Sequence, residues 1–493
     1  MKNNRRDFFR LAGLAGMGVF GSNVIPSCAA TKTTSVATGN GALDNVPALA
    51  TKKYTQRFNM CGYASPKLDK VRIGFIGLGN RGPVHSTQTS RLEGVEIKAV
   101  CDLRPERAEK AKKQVVAMGH DPAVIAGSEE SWKAVCDRSD IDLIYIATPW
   151  HLHAPQAIYA MNAGKHVCVE VPAANNLEDC WALVETSERT RKHCMMVENA
   201  CFLFWDLLIL NMVRQGFFGD VIHCEGAYIH DLLDYNFDKN NLYGMWRLKE
   251  NTKRNGNLYP THGLGPICQV LNINRGDKMD YMVSMSSNDF IMAKHADELA
   301  AKDDFYKPYA VKTYRGNMNT TSIRTALGRT IMLQHDVSSP RVKSLINLVS
   351  GTKGTAMEYP LPGHISTGHK GWLSEKEVKE LEEKYMPPIV KKIGEMAKQI
   401  GGHGGIDFLM NWHVIDCLRN GLPLSQNVYD AASWTAVGPL SEWSVANRSS
   451  SIDIPDFTAG AWKTNKPFDL TMEQGGSTKI LSSEAMKGVK EKL

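Results

Sequence analysis

Between Val71 and Asn199, short runs of β-branched and apolar residues alternate with stretches of helical spacing. The runs are Val71–Gly77, Val95–Asp102, Asp142–Thr148, His166–Val171 and Met195–Asn199. Buried strands separated by helices in this rhythm predict β-α-β units and a parallel sheet. Past Asn199 the rhythm lengthens. A helix over Trp205–Gln215 leads to a strand at Val221–His230, an irregular stretch ending at His262, and longer runs at Asp280–Ser287, Thr320–Asp336 and Ser344–Ser350. These predict an open, mainly antiparallel sheet. Gly404–Asn420 reads as a helix stopped by Gly421 and Pro423. Ser374–Lys398 reads as a solvated helical face broken at Pro387-Pro388. The expected fold class is α/β: a doubly wound parallel sheet over 69–199, an α+β domain over 200–465, and a tail over 466–493.

The two ends of the pattern are different in kind. Asn4-Arg5-Arg6-Asp7-Phe8-Phe9-Arg10 followed by the moderately apolar Leu11–Ile25 has the form of a twin-arginine export signal over 1–30. The apolar stretch is short for a membrane span, which needs about 20 residues. Ile25-Pro26-Ser27-Cys28 has the form of a degenerate lipobox, with Cys28 as the residue that would carry a lipid. A periplasmic or membrane-anchored location is therefore expected. Residues 31–68, rich in small and polar types, read as a linker.

Composition adds little to the fold and more to the compartment. Lys2, Arg5, Arg6 and Arg10 against Asp7 account for +3 of the formal +6. No basic stripe interleaved with aromatics appears, so nucleic-acid binding is not expected. Eleven cysteines form no C-x-x-C pair, and Cys101, Cys168 and Cys194 lie in or beside apolar runs as buried thiols would. A chain without a disulfide framework suits export after folding.

Gly77-Leu78-Gly79-Asn80-Arg81-Gly82 follows the first apolar strand and precedes a helix with Pro83 in its first turn. Asp102 ends the next strand, 20 residues beyond Gly82. In that setting G-x-G-x-x-G predicts a Rossmann dinucleotide site. Gly77 permits the tight turn, Gly79 lets backbone approach the pyrophosphate, and Gly82 lets the helix pack closely. The helix N-terminus offers N–H groups to the phosphates. Asp102 is expected to accept from the ribose hydroxyls and to repel a 2′-phosphate, which favours NAD over NADP. The loop Trp150-His151-Leu152-His153 follows a strand end and should line the cofactor groove. Without a nearby Cys or carboxylate to complete a ligand set, its two histidines do not predict a metal.

At Glu170-Val171-Pro172 the chain resembles the Gfo/Idh/MocA oxidoreductases, which usually carry Glu-Lys-Pro there. Val171 removes the lysine that helps move a proton in the dehydrogenases. At closer range the chain is similar to glycoside hydrolase family 109, NAD-dependent α-N-acetylgalactosaminidases. The similarity rests on Glu170–Ala174, Met195–Asn199, Trp246-Arg247, Arg254–Gly263, His403–Asp407 and Ser444–Arg448, with Tyr259-Pro260-Thr261-His262-Gly263 the most specific block. The resemblance implies cofactor contacts at Asn80, Arg81, Asp102, Trp150, His151, Leu152, His153, Glu170, Val171 and Asn199. It implies sugar contacts at Glu198, Tyr228, Arg247, Tyr259, Pro260, Thr261 and His262. Lys343 and Phe202 stand where the family often has tyrosine, and Lys343 falls at a substrate position.

The implied chemistry is oxidation at C3 of the sugar, loss of the now acidic C2 proton, departure of the aglycone from C1, addition of water, and re-reduction. NAD-dependent glycosidases are exceptions to the two-carboxylate pattern. His262 is expected to be one acid/base group, because an imidazole needs little tuning near neutral pH. Tyr259 and Tyr228 are expected to be catalytic in the same pocket, with Arg247 clamping substrate oxygens and lowering a tyrosine pKa toward that of a base. Two other readings use the same residues. A sugar dehydrogenase would release net NADH, and a non-catalytic NAD–sugar binding protein would turn nothing over. A glycan or glycoside is the expected partner, with a homodimer through the open sheet.

Overall fold

The computed structural model describes residues 43–481. The twin-arginine segment and Cys28 lie outside them. Six strands form one parallel sheet: β1 (Val71–Ile76), β2 (Val95–Asp102), β3 (Ala123–Ala126), β4 (Leu143–Ile146), β5 (His166–Val169) and β6 (Cys194–Met196), in the order β3-β2-β1-β4-β5-β6. The order reverses between β1 and β4, and the crevice at such a reversal is where a doubly wound sheet binds its ligand. The four residues of β3 are only half-buried at the sheet edge. Too short an apolar run marks them, and the pattern of the chain does not reveal that strand.

Eight strands form the second sheet: β7 (Val221–Ile229), β8 (Met279–Ser286), β9 (Met318–Thr325), β10 (Thr330–Asp336), β11 (Leu348–Gly351), β12 (Thr355–Met357), β13 (His364–Ser366) and β14 (Ile452–Asp453). Their order is β13-β12-β11-β7-β10-β9-β8-β14. All neighbours are antiparallel except β7 and β10, which run parallel. The run expected as one strand over Thr320–Asp336 is two. Gly328, at φ +87°, turns the chain between β9 and β10.

Helix Val428–Ala446 packs on helix Leu177–Thr190 of the first layer and on β8 of the second sheet. Nearly every residue of it is buried, so it lacks the one-sided stripe by which helices are read from sequence. Helix Ile406–Asn420 lies against helix Gly82–Thr89, which opens at the Gly-rich turn. Both second-half helices therefore brace the parallel sheet.

The described part of the expected linker is not loose. Met60 is buried, its N–H donates to the Tyr429 hydroxyl, and Tyr54 donates to Glu188 at 2.6 Å. Glu188 also accepts from the Arg57 N–H and from Tyr429. A buried carboxylate with three donors pins the segment to both halves, and residue composition alone does not report such partners. The described part of the expected tail is likewise paired. Leu481 N donates to Arg91 O and Trp412 Nε1 to Thr478 O. All ten described cysteines are free, and all but Cys61 are buried.

One buried pair of carboxyls lies away from the sheet reversal. Asn347 Nδ2 donates to Asp206 at 3.2 Å and to Glu358 at 2.6 Å. Burial, then the charge of Glu358, pushes the Asp206 carboxyl well above its usual range, and burial raises Glu358 as well. A carboxyl raised on folding adds stability only while protonated, so its contribution is full at low pH and is lost as pH rises through the folded value. Asp206→Asn should leave stability unchanged below the unfolded carboxyl value of about 3.9 and raise it increasingly as pH climbs from there toward the raised folded value. The slope is limited to about 1.4 kcal/mol per pH unit for one proton. Denaturant midpoints at pH 5 and pH 8.5 check this, and a variant less stable than the parent at pH 8.5 contradicts it.

Candidate active site

The Gly-rich turn is built on contacts that exclude side chains. A Cβ at Gly82 would sit 2.0 Å from the Gly77 carbonyl oxygen, and one at Gly77 (φ +87°) would meet the Ala147 backbone at 2.6 Å. Gly79 meets only the Arg107 guanidinium, which leaves the face above the turn open. No side chain caps the start of helix Gly82–Thr89. Pro83 carries no N–H, and the Val84 and His85 N–H groups donate to Arg81 O, so the helix offers an anion chiefly the positive end of its dipole. Asp102 accepts from Leu78 N at 2.7 Å and from Arg104 N at 2.9 Å, which holds its carboxylate at the groove edge. Turn, helix start and carboxylate together fit a dinucleotide.

Beneath the groove lies a charged cluster. Arg81 donates to Glu170 at 2.7 Å and to both oxygens of Asp407 at 2.9 and 3.0 Å. His85 reaches Glu170 at 2.8 Å. Burial pushes the Glu170 carboxyl up, but Arg81 and His85 outweigh it and hold the group well below the carboxylate range. Val171, the next residue, lines the cavity with a side chain that carries no proton.

The cavity continues from this groove to the second sheet. Its volume is about 1270 Å³, and its wall runs from Gly77 and Asp102 to Tyr228, His230, Arg247, Tyr259 and His262. That is more than the roughly 300–1,000 Å³ of a usual small-ligand pocket, and it has room for a dinucleotide and a sugar together. The segment after β7 crosses its mouth. Asn80 in the Gly-rich turn donates to the Tyr235 hydroxyl at 2.9 Å and to Asn241 at 3.1 Å, and Arg104 lies over the Tyr243 ring. Behind the crossing segment stands a separate small core, including Phe237, Met245, Leu248, Met292 and Tyr306.

At the far end His262 opens helix Thr261–Val270. Its Nδ1 lies 2.5 Å from Glu198 Oε1, at the end of β6, and the Glu198 side chain is fully enclosed. Glu198 also accepts from Ala200 N. A carboxylate acceptor fixes the Nδ1–H tautomer and leaves Nε2 as the lone-pair nitrogen. Facing His262 are the rings of Tyr259 at 5.0 Å and Tyr228 at 5.3 Å. The Arg247 guanidinium sits 5.1–5.4 Å from the rings of Trp150, Trp246 and Tyr259. No described residue hydrogen-bonds it, and its Nε is buried without a partner, so its donors are available to ligand oxygens. Arg254 bonds Glu442 and Asn175 and anchors the approach to this segment.

Residues 205–464 match the family model described as glycosyl hydrolase 109, C-terminal domain, and residues 71–198 match that of the Gfo/Idh/MocA NAD-binding Rossmann fold. A Shewanella pealeana protein described as a glycosyl hydrolase family 109 protein is 43% identical over 475 residues, covering 95% of this chain and 99% of its own. This chain belongs to glycosyl hydrolase family 109. A Shewanella oneidensis member named alpha-N-acetylgalactosaminidase is 44% identical over 445 residues, 89% of this chain and 96% of that one. Among solved structures, levoglucosan dehydrogenase with NADH and L-sorbose superposes with a TM-score of 0.60 at 19% identity, covering 79% of this chain and 100% of that chain. An NAD-binding oxidoreductase from Klebsiella pneumoniae gives 0.60 at 18%, covering 78% and 99%. At those identities the likeness shows the fold alone.

Within this family 109 chain, most expected site residues converge on one cavity. Gly77, Gly79, Asn80, Arg81, Asp102, Trp150, His151, Leu152, His153, Glu170, Val171 and Asn199 all line it, as do Tyr228, Arg247, Tyr259 and His262. Gly82 packs beneath the turn. Both ring nitrogens of His153 lie 2.7 Å from carbonyl oxygens, those of Pro172 and Thr148, so its role is to fix the loop. Other expected residues lie off the described wall. Glu198 reaches His262 rather than the cavity. Pro260 and Thr261 are buried at the helix start, away from the wall. Lys343 is exposed and off the wall, although its charge acts on His230. Phe202 packs on His413.

The tyrosine expectation is also reversed. Burial raises Tyr228, and raises Tyr259 well above the ordinary tyrosine value, and Arg247 only partly opposes this. Both therefore act as neutral donors and walls. His230 was missed. Two residues past Tyr228 at the end of β7, it lines the cavity with Nδ1 3.3 Å from the Tyr228 hydroxyl. Burial, Lys343 and Arg247 lower its pKa and keep it neutral. Its i+2 spacing on a strand that ends at the cleft is the signal that marks it.

Proposed function

We propose that this family 109 glycosidase cleaves terminal α-N-acetylgalactosaminides with NAD as a recycled cofactor. The observation that carries the reading is one cavity walled at one end by the Gly-rich turn and at the other by His262 on Glu198. NAD, when bound, supplies a reversible hydride acceptor for C3 of the sugar. The chain's own residues do the rest. Arg247 holds substrate oxygens, and Tyr228 and Tyr259 offer neutral hydroxyls. Once C3 is a ketone, His262 Nε2 removes the C2 proton, and the electron pair left at C2 expels the aglycone as the C1–O bond breaks. After the proton on Nε2 exchanges with solvent, water adds at C1 and C2 is reprotonated from Nε2. Tyr228 with His230 exchanges the proton of the C3 hydroxyl. Val171 favours this over simple dehydrogenation, since the lysine position of the related oxidoreductases carries no proton here.

A chain that keeps its nucleotide through turnover must be loaded before crossing a membrane. The Asn4–Arg10 motif suits export of a folded, loaded protein. The deciding experiment is cleavage of an aryl α-N-acetylgalactosaminide in D₂O by the full chain. Deuterium at C2 of the released sugar, without net NADH, is the expected result. Cleavage with C2 left as hydrogen, or stoichiometric NADH without cleavage, overturns the reading.

A further inference from the structure

The geometry points to Asp407 as the residue that positions the dinucleotide site, supplied from the glycosidase half of the chain. This rests on the NAD reading above. Asp407 lies in the first turn of helix Ile406–Asn420 with its side chain fully enclosed. Oδ1 accepts from Arg81 Nη2 at 3.0 Å and from Asn199 Nδ2 at 2.6 Å. Oδ2 accepts from Arg81 Nη1 at 2.9 Å and from His403 Nδ1 at 2.8 Å. Four donors saturate one carboxylate.

The three donor residues come from three places: the Gly-rich turn, the end of β6, and the loop before the helix. All three line the cavity, whereas Asp407 does not. It acts through them. The Nε of Arg81 is already bound by Glu170 at the end of β5, so Asp407 supplies the second anchor that fixes the plane of the guanidinium. Burial raises the Asp407 carboxyl, but His403 and Arg81 bring it far below the usual range, so the anchor stays charged. The parallel sheet alone contains the turn, Asp102 and Glu170. The carboxylate that orders Arg81, Asn199 and His403 arrives only when the helix of the other half docks. In this chain the dinucleotide is gripped by a site that both halves complete.

The test uses full-length protein stripped of nucleotide and titrated with NAD by calorimetry. Asp407→Asn keeps the size and loses the charge. It should weaken NAD by about tenfold or more, the scale on which lost outer support acts at metal sites. A residue that works through Arg81 should also be non-additive with it. Asp407→Asn combined with Arg81→Gln should bind NAD within about twofold of the weaker single variant, an outcome that general loosening of the fold does not produce. Unchanged affinity in Asp407→Asn, or losses that multiply in the double variant, overturns the inference. Should Asp407→Asn fail to fold, Asn199→Ala and His403→Ala each remove one donor from the same carboxylate, and normal affinity in both is equally fatal. Parent protein that binds no NAD overturns the reading of function along with this one. Parent protein that binds NAD, with Asp407→Asn equal to it, overturns this inference alone.

Discussion

His262→Ala is expected to lower the rate of glycoside cleavage by about 10²–10⁴-fold while leaving NAD in place, the span a positioned acid/base group contributes. The reason is the order of contacts. Glu198 is enclosed at the end of β6 and takes the Nδ1–H of His262 at 2.5 Å, so the opposite nitrogen is the one with a lone pair for substrate. Among the described cavity residues, His403 also pairs its Nδ1 with an enclosed carboxylate, Asp407 at 2.8 Å, but it does so beside Arg81 of the Gly-rich turn and not beside Tyr228 and Tyr259. His230 bonds only a tyrosine hydroxyl, and His153 is held by two carbonyls. Removing the imidazole leaves the Gly-rich turn, Asp102 and the Arg81 cluster untouched, and the nucleotide should co-purify as before. Glu198→Gln is the companion. It keeps an acceptor for Nδ1–H but removes the charge facing an imidazolium, so it should fall between parent and His262→Ala. Turnover of an aryl glycoside beside nucleotide content per chain measures both, and a His262→Ala enzyme with parental turnover removes this residue from the mechanism.

The legible part of the molecule was the part whose physics is local. A strand, a glycine turn and an acid 20 residues on are set by backbone geometry, and the crevice lies where that motif put it. His262 and Tyr259 were legible through the family block Tyr259–Gly263, and their spacing of three across a helix start agrees with the meeting of both rings in the cavity. What could not be read depends on partners far along the chain. Asp407 is 326 residues from Arg81, and nothing near Asp407 announces the bond. Helix Val428–Ala446 is buried on nearly every side, polar residues included, and shows no one-sided period. Tyr259 sits beside Arg247, which suggested a lowered pKa, but the depth of its burial decides the sign, and burial is a property of the whole fold. Lys343 shows the converse: a position carried over by family likeness lies exposed and off the described wall, and reaches His230 only through its charge.

Gly263→Ala should cost about 10²-fold in turnover, through displacement alone. The helix that carries His262 crosses β7 so closely that a Cβ at Gly263 would lie 2.4 Å from Ala227 N, and one at Gly226 would lie 2.3 Å from the Gly263 carbonyl oxygen. Two facing glycines bring Tyr228 and His262 within reach of one sugar. An ordinary Cβ contact begins near 3.4 Å, so alanine must push the helix back by about 1 Å. The obstacle is backbone, which has no rotamer in which to yield. His262, adjacent in sequence, moves with the helix and strains its bond to Glu198. A misplacement of about 1 Å at a reacting group can cost 10²-fold, and overpacking of this kind typically costs about 1–3 kcal/mol of stability. NAD affinity should stay within about twofold of the parent, because the crossing lies in the second sheet, away from the Gly-rich turn and its anchors, and well-separated sites act nearly independently. The separation of the two readouts is the test: turnover should fall while the nucleotide Kd holds. Parental turnover in Gly263→Ala would show that the crossing tolerates a methyl group and that the spacing of Tyr228 and His262 is not what sets the rate.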